Sequence, residues 1–533
     1  MSHRFAGVEW ALLAILFVLA SLPTILTAGD YGPTYDEPHY ASAGIRYADW
    51  WTRVFRADTT ALQPSEIEKS WRLNHEHPPL QKCASGFAQR WFEPILPGVT
   101  AMRIPSAIWF ALTACAIYLF TRGIWGRRGA LFGALAFATM PRVFAHAHFM
   151  ALDMPIACWF FITVALTATA LRRNSWLYTA FAGIAFGLAL LTKLNAFFLP
   201  LLLLPWGLSY HRNRWPKLLF SLLLIGPAVF LMGWPWLWID LVPHLREYLA
   251  FHFGHAAYNV WYLGRLWQYA PWHYPFVMTA VTTPALVLAL SILGMAYAWQ
   301  RRSTAPSSLI LLFGFAIAII PNALPTSPKY NGIRLFLPAL PFLASLAGGG
   351  FAILQGWITR LLRSSASNQA RLGSLVTVAL ALILLIPSVR GLTRVHPYQL
   401  AYYNALIQGT QGATARGFET IYWGQIFQGA PPYLNSIEHP SPRVLVIPKG
   451  VIYLLEFQQQ AGALRPDVQF TADEDTAPSA DCVIFQAMQS DYTELCWALV
   501  NNIDPIYAIR LKDQTPILLA YDREAILAVS SNP

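Results

Sequence analysis

Apolar stretches close to the ~20 residues that cross a hydrocarbon core recur along the first 390 positions, from Val8 to Thr27 at one end to Leu372 to Pro387 at the other. The pattern predicts a polytopic α-helical membrane protein with about eleven transmembrane helices. Trp176 to Leu208 reads either as one long span or as two short ones broken at Lys193 and Asn195. The first stretch follows only Arg4 as a charge and exceeds the ~7 to 15 apolar residues of a signal-peptide core, so it is expected to remain as a helix. Beyond position 390 the texture changes: short β-rich runs at Val444 to Ile447, Cys482 to Phe485 and Ile517 to Tyr521 alternate with helical stretches and Pro/Asp/Ser turns. The expected division is a transmembrane domain over 1–390, with a long first outer loop at 29–99, and a small soluble α/β domain over 391–533. No repeat of the period that builds solenoids is visible.

Composition agrees with the pattern. Of the 533 residues, 56% are hydrophobic and only 12% charged, and mean hydropathy is +0.41; soluble chains average about 25% charged residues, so an ordinary soluble enzyme is excluded. Residues 391–533 hold 8 Lys/Arg and 14 Asp/Glu, a net of −6, which leaves 29 and 13, a net of +16, for the first 390. The basic excess therefore belongs to the membrane part, and no basic stretch interleaved with aromatics suggests nucleic acid. Arg122, Arg127 and Arg128, Arg172 and Arg173, Arg212, Arg214 and Lys217, Arg301 and Arg302, and Arg360, Arg363 and Arg371 fall in loops expected on one side. The positive-inside rule makes that side, and the N-terminus, cytoplasmic, and an odd number of crossings puts the tail and the first long loop outside. Five cysteines are too few for a disulfide framework; Cys482 and Cys496 share the tail and could pair in an oxidising compartment.

Charge kept inside a membrane protein marks its chemistry, because it is costly there. Of the 13 acids before position 391, nine lie in the first outer loop, and none occurs from Tyr248 to Phe418. Two short stretches of that loop are dense in reactive side chains: Tyr35-Asp36-Glu37-Pro38-His39-Tyr40, and Asn74-His75-Glu76-His77-Pro78-Pro79-Leu80-Gln81-Lys82. Each has an ordinary structural reading beside the functional one. Asp36 and Glu37 fit as solvated residues capping a helix, and Asp153 in Ala151-Leu152-Asp153-Met154-Pro155 fits as an N-cap. His75 and His77 lack a diagnostic zinc spacing. On the outer side, Arg103, Arg142, Lys193, Arg246, Arg265, Lys329 and Arg334 run against the positive-inside bias and together point to an anionic ligand. Trp234, Trp236, Trp238, Trp261, Trp267 and Trp272 cluster around the second long outer loop, as interfacial anchors or as faces for a sugar.

These residues carry a resemblance. Asp36-Glu37-Pro38-His39-Tyr40 after the first helix resembles the Asp-Glu motif of GT-C glycosyltransferases, and His77-Pro78-Pro79-Leu80-Gln81-Lys82 is similar to the His-Pro-Pro-Leu-Gly-Lys element of protein O-mannosyltransferases, glycosyltransferase family 39. Arg103, Leu152-Asp153-Met154-Pro155 and Leu191-Thr192-Lys193 extend the likeness over about the first 340 residues, the last resembling a Thr-Lys of bacterial members and of aminoarabinose transferases. The tail differs from that of eukaryotic members. Its His396-Pro397-Tyr398, Tyr402-Tyr403-Asn404 and Tyr422-Trp423-Gly424 resemble bacterial lipid-carrier-dependent glycosyltransferases. Gln81 stands where the family has Gly, and His39 where other members vary.

The resemblance implies an integral-membrane, inverting glycosyltransferase of the inner or plasma membrane. It would move a sugar, by default mannose, from a polyprenyl-phosphate donor to a protein or lipid-glycan hydroxyl on the outer face. Asp36 is expected as the base, with Glu37 orienting the acceptor or Asp36; Lys82, Arg103 and Lys193 would meet the leaving phosphate. His77, Asp153 and His39 are expected as supporting residues, with Asp153 holding His77 or a basic residue. No cofactor or bound metal is called for, a divalent cation being left open. Two other readings remain: aminosugar transfer to a lipid glycan such as lipid A, and a non-catalytic lipid-binding protein or transporter.

Overall fold

The computed structural model describes residues 7–96, 98–254, 258–362 and 369–530; Arg4 and Arg363 of the sequence reading lie outside them. Seven described helices are long and apolar enough to cross a membrane, and Trp176–Leu190, Leu194–Tyr210 and Ala285–Gln300 are shorter apolar ones. The 40-residue Val99–Ala138 helix is two arms broken at Gly126, whose φ of 76° suits a residue without Cβ. With that helix counted as two, the described apolar segments number eleven. The ambiguous stretch is two segments, Trp176–Leu190 and a 3₁₀-then-α run ending at Tyr210, with Lys193 in extended backbone between them. Glu9 of the first helix pairs with Arg122 and Arg127 beside the break, so the first helix begins at the end of the bundle where the two arms meet.

Close helix approach is made by small residues. A Cβ on Gly348 would fall 2.4 Å from the Gly129 carbonyl oxygen, and one on Gly350 would fall 2.0 Å from that of Leu290. The Leu340–Leu361 helix is thereby wedged between Val99–Ala138 and Ala285–Gln300, the contact mode expected where hydrophobic exclusion from water cannot drive association. Outward sides remain apolar: Val18, Leu19 and Leu22 of the first helix and Leu375, Val378 and Leu382 of Gln369–Arg394 are all exposed. Such surface is stable only against lipid.

The first long loop is itself helical. Glu37–Phe55 and Leu80–Phe92 cross at Gly44 and Gly86, where a Cβ on Gly86 would lie 2.0 Å from the Gly44 oxygen. That crossing brings the Asp-Glu and His-Pro-Pro stretches onto one scaffold.

The last long helix ends at Arg394. After it, residues 395–434 form a strap of short 3₁₀ and α turns stitched to the membrane part. His396 Nε2 meets Asp30, the Tyr31 hydroxyl donates to Gln399 Oε1, Arg142 Nε donates to the Tyr402 carbonyl, and Asn404 donates to the carbonyls of Ala280 and Thr283. A hairpin of β1 (Val260–Tyr262) and β2 (Arg265–Trp267) docks on this strap through a Tyr262–Phe418 bridge. The tail's sheet contains β3 (Arg443–Ile447), β4 (Gln469–Thr471), β5 (Cys482–Gln486), β6 (Tyr507–Arg510) and β7 (Pro516–Asp522) in the order β4-β3-β5-β7-β6. β3 runs parallel to β4 and β5, while β7 is antiparallel to β5 and β6. Strand periodicity sorts the two faces: Val444, Val446, Cys482 and Ile484 enter one core, and Leu445, Ile447, Val483 and Phe485 enter the other. Cys482 and Cys496 belong to different cores and both are free thiols, which corrects the reading that they could pair.

Candidate active site

Asp36 precedes the Glu37–Phe55 helix, and Pro38 stands at the second helical position, where a missing N–H costs nothing. Asp36 has helical backbone angles and its side chain makes no cap bond. Asp153 opens the Asp153–Arg173 helix and makes none either, the N-cap there being Leu152. The capping alternatives are thus set aside for both residues: each carboxylate faces cations instead.

Four charged side chains form a chain of contacts. Lys193 Nζ donates to Asp153 Oδ1 at 2.6 Å, Arg334 Nε donates to Asp153 Oδ2 at 2.9 Å, and the other arm of Arg334 donates to Asp36 Oδ2. The Trp423 indole N–H joins at Asp36 Oδ2, 3.1 Å away, and the same ring lies 4.3 Å from the Arg334 guanidinium carbon. Asp153 is fully buried, whereas Asp36 keeps 28% of its side chain exposed, Lys193 16% and Arg334 11%. Asp36 is therefore the carboxylate of this chain that an incoming molecule can reach.

Glu37, one residue on, is sealed. Its Oε1 accepts from Arg103 Nε and from the Met150 backbone N–H, and its Oε2 accepts from Arg103 and from the Thr34 backbone N–H. Arg103 spends its remaining donors on the carbonyls of Ala28, Tyr31 and Gly32. A buried pair this fully bonded holds the turn 28–37 in shape. Lys82 is likewise buried, donating to the carbonyl and side-chain oxygen of Asn74 and to the His77 carbonyl; burial pushes its ammonium down to about 7. Arg103 and Lys82, expected from the resemblance to meet a donor phosphate, here spend their protons on the loops beside the site.

His77 is half-buried against the rings of Tyr40, Phe251 and His252. Burial, reinforced by Lys82, pushes its imidazole well below the usual histidine range, so it is neutral near pH 7. Asp153 holds Lys193 and Arg334, which is the basic-residue half of its expected role. His39 is exposed, and its ring lies 5.5 Å from Tyr453 of the tail. Among the described residues no three His, Cys, Asp or Glu side chains converge as metal ligands would.

Sequence reasoning named Arg334 only as one outer cation among seven, and Trp423 only within a tail motif. Two features of the sequence mark them. Tyr330-Asn331-Gly332 places Asn331 and Gly332 at positive φ, with only Ile333 between them and Arg334, and Trp423-Gly424 is a second such pair. At Gly332 a Cβ would sit 2.5 Å from the Arg142 guanidinium, so the turn that delivers Arg334 requires glycine. Trp423 has φ 77°, strained for a bulky residue, and is held there by Tyr35, whose N–H donates to its carbonyl at 3.2 Å.

Residues 88–239 match the family model for dolichyl-phosphate-mannose-protein mannosyltransferase. No curated protein matches the sequence. Among solved structures, ArnT from Cupriavidus metallidurans in the apo state shares the fold at 18% identity, covering 98% of this chain and 99% of its own, with a TM-score of 0.50. The same protein bound to undecaprenyl phosphate matches at 18% identity over 97% and 98%, with a TM-score of 0.48. AglB, the oligosaccharyltransferase of Archaeoglobus fulgidus, in complex with an inhibitory peptide and a dolichol-phosphate, matches at 12% identity over 90% and 69%, with a TM-score of 0.49. The architecture is of GT-C type, and it runs from the first helix through the tail.

Proposed function

From the premise of a GT-C membrane glycosyltransferase, to which the family match and the fold both lead, we propose that this protein moves a sugar from a polyprenyl-phosphate donor to an acceptor hydroxyl on the outer face. The default sugar is mannose and the acceptor a protein or a lipid-linked glycan. The observation that carries the reading is the unequal treatment of the carboxylates: one reachable acid, Asp36, set among Arg334, Lys193 and the Trp423 N–H. A phosphate leaving group needs no proton, so a single base suffices, unlike the two carboxyls of glycoside hydrolysis.

In the step, the acceptor oxygen attacks the anomeric carbon while its proton passes to Asp36. The bond from that carbon to the phosphate oxygen breaks, and its electron pair leaves with the phosphate. Attack and departure on opposite faces invert the configuration. Lys193 and Arg334 meet the charge that grows on the phosphate, with Asp153 holding both in place. Arg103, Glu37 and Lys82 fix the two loops that carry Asp36 and the His77 stretch. ArnT, whose fold this chain shares, is known bound to undecaprenyl phosphate, which supports a donor of that chemistry.

The test is transfer of label from undecaprenyl-phosphate mannose in membranes holding the unmodified protein or Asp36→Asn. Label moved to protein or lipid only by the unmodified form supports the reading. Transfer from an aminosugar donor alone would replace mannose with the second reading. Tight binding of every donor with release of polyprenyl phosphate from none would leave a lipid-binding protein and overturn the assignment.

A further inference from the structure

A second cleft lies where the β1–β2 hairpin meets the tail, apart from the charged chain at Asp36. It encloses about 570 Å³ and is lined by Trp261, Thr420, Gln489, Tyr492 and Trp497, with Arg416 at its edge. Three aromatic rings stand together in its wall. The Trp261 and Trp497 centroids are 5.2 Å apart with the rings tilted by 47°, and Tyr492 meets Trp497 edge-on at 5.0 Å. All three are half-buried, so each keeps open surface.

The cleft is built rather than left between loose parts. The Gly264 N–H donates to the Gly417 carbonyl at 3.0 Å, and the Trp261 N–H donates to the buried Glu419 carboxylate at 3.3 Å. A Cβ on Gly417 would lie 1.9 Å from the Gly264 nitrogen, so hairpin and strap are in direct backbone contact. The polar wall is fixed as well: Gln489 accepts from the Thr420 N–H at 3.2 Å and donates to its hydroxyl at 3.0 Å, and Thr414 and Thr420 share a hydrogen bond at 3.1 Å.

An acyl chain would match the rings but would cover the remaining lone pairs of the Thr420 and Gln489 oxygens and the remaining donors of Arg416 without offering them partners, which is unfavourable. A small anion would have no use for three rings. A sugar ring suits both walls, offering an apolar C–H face to the aromatics and hydroxyls to the polar groups. Trp261, the ring that β1 contributes, is one of the tryptophans for which the sequence left membrane anchoring and sugar stacking open.

We infer that this cleft binds carbohydrate, as a subsite for sugar units of the acceptor that do not themselves react; the assignment to the acceptor rests on the transferase reading above. The link is the strap. Thr420 lines the cleft, and Trp423, three residues later, donates to Asp36. Three residues span at most ~11 Å, which sets the cleft within an oligosaccharide's length of Asp36.

The experiment measures binding of mannohexaose, maltohexaose and chitohexaose to the full-length protein in nanodiscs without donor, by tryptophan fluorescence and saturation-transfer NMR. At least one of these sugars should bind. Trp261→Ala and Trp497→Ala should each weaken it roughly tenfold or more. Val500→Arg fills the mouth from a position that is 38% exposed and leaves the ring cluster intact, so it should abolish binding while the melting temperature stays unchanged. Asp36→Asn should bind the sugar as the unmodified protein does, which separates failure of the transferase reading from failure of the cleft. If none of the three sugars binds, if binding survives Val500→Arg, or if a neutral decapeptide binds in place of the sugars, the inference is overturned.

Discussion

Asp36 and Glu37 stand side by side in the chain, yet the first keeps 28% of its side chain exposed and the second none. Both are paired with arginine. Around Glu37 the arginine, three carbonyls and two backbone N–H groups close every valence, and the unit sits among the first helix, the first turn of the loop and the Met150 segment. Around Asp36 the partners are a shared arginine and an indole, and solvent reaches the carboxylate. The comparison separates scaffold from chemistry: a fully satisfied buried pair fixes geometry, whereas a partly satisfied pair open to solvent retains capacity for a ligand.

The sharpest way to break that comparison is to neutralise each acid in turn. Asp36→Asn should lower sugar transfer by a factor of roughly 10² to 10⁴ with the yield of folded protein unchanged, read by donor turnover and by thermal unfolding in detergent. Glu37→Ala should do the reverse, leaving Arg103 buried without its partner and costing about 3 to 5 kcal/mol of stability, seen as loss of folded protein rather than as a slower step in the molecules that fold. Equal loss of activity without destabilisation in both variants would erase the distinction.

Arg334→Ala tests the open chain from its centre. Turnover should fall by roughly 10² to 10³, the cost of removing one donor from a developing anion, with a smaller change in donor affinity measured separately. In the tail, burial pushes the Glu419 carboxyl up to about 7. A group whose folded value lies above its unfolded one stabilises the fold fully below the unfolded value and loses that contribution as pH rises through the folded one. The tail should therefore weaken between about pH 4.5 and 7, by at most about 3 kcal/mol. Glu419→Gln should flatten this slope in unfolding curves followed by tryptophan fluorescence. The smallest effect belongs to Trp423→Phe, which keeps the ring and loses the N–H to Asp36. A loss of about 1 kcal/mol, or roughly fivefold in turnover, with wild-type melting would mark the tail as part of the catalytic setting.

Much of this molecule was legible in one dimension. Runs of apolar residues announced the spans, and even the doubtful stretch broke at Lys193, where two apolar segments need an extended linker. The change of texture announced the tail, whose strands alternate between two cores as their period requires. The acids were legible because the membrane part has few: with none from Tyr248 to Phe418, the first long loop, Asp153 or the Asp240 to Glu247 loop had to carry the carboxylates. The cations were not legible in the same way, because the side expected to face outward offers seven and composition cannot rank them.

Hydropathy and charge are properties of single positions read against their neighbours, so the sequence by itself determined that this is a membrane protein and where its acids lie. Which cation reaches which acid depends on packing between segments remote in the chain. Arg334 meets Asp36 across 298 positions and Trp423 meets it across 387. Arg103 and Lys82 look from the sequence like free phosphate ligands, and only the burial of their side chains shows that carbonyls have already taken their protons. The tertiary structure decided these assignments because hydrogen-bond capacity is finite, and only the fold determines where it has been used.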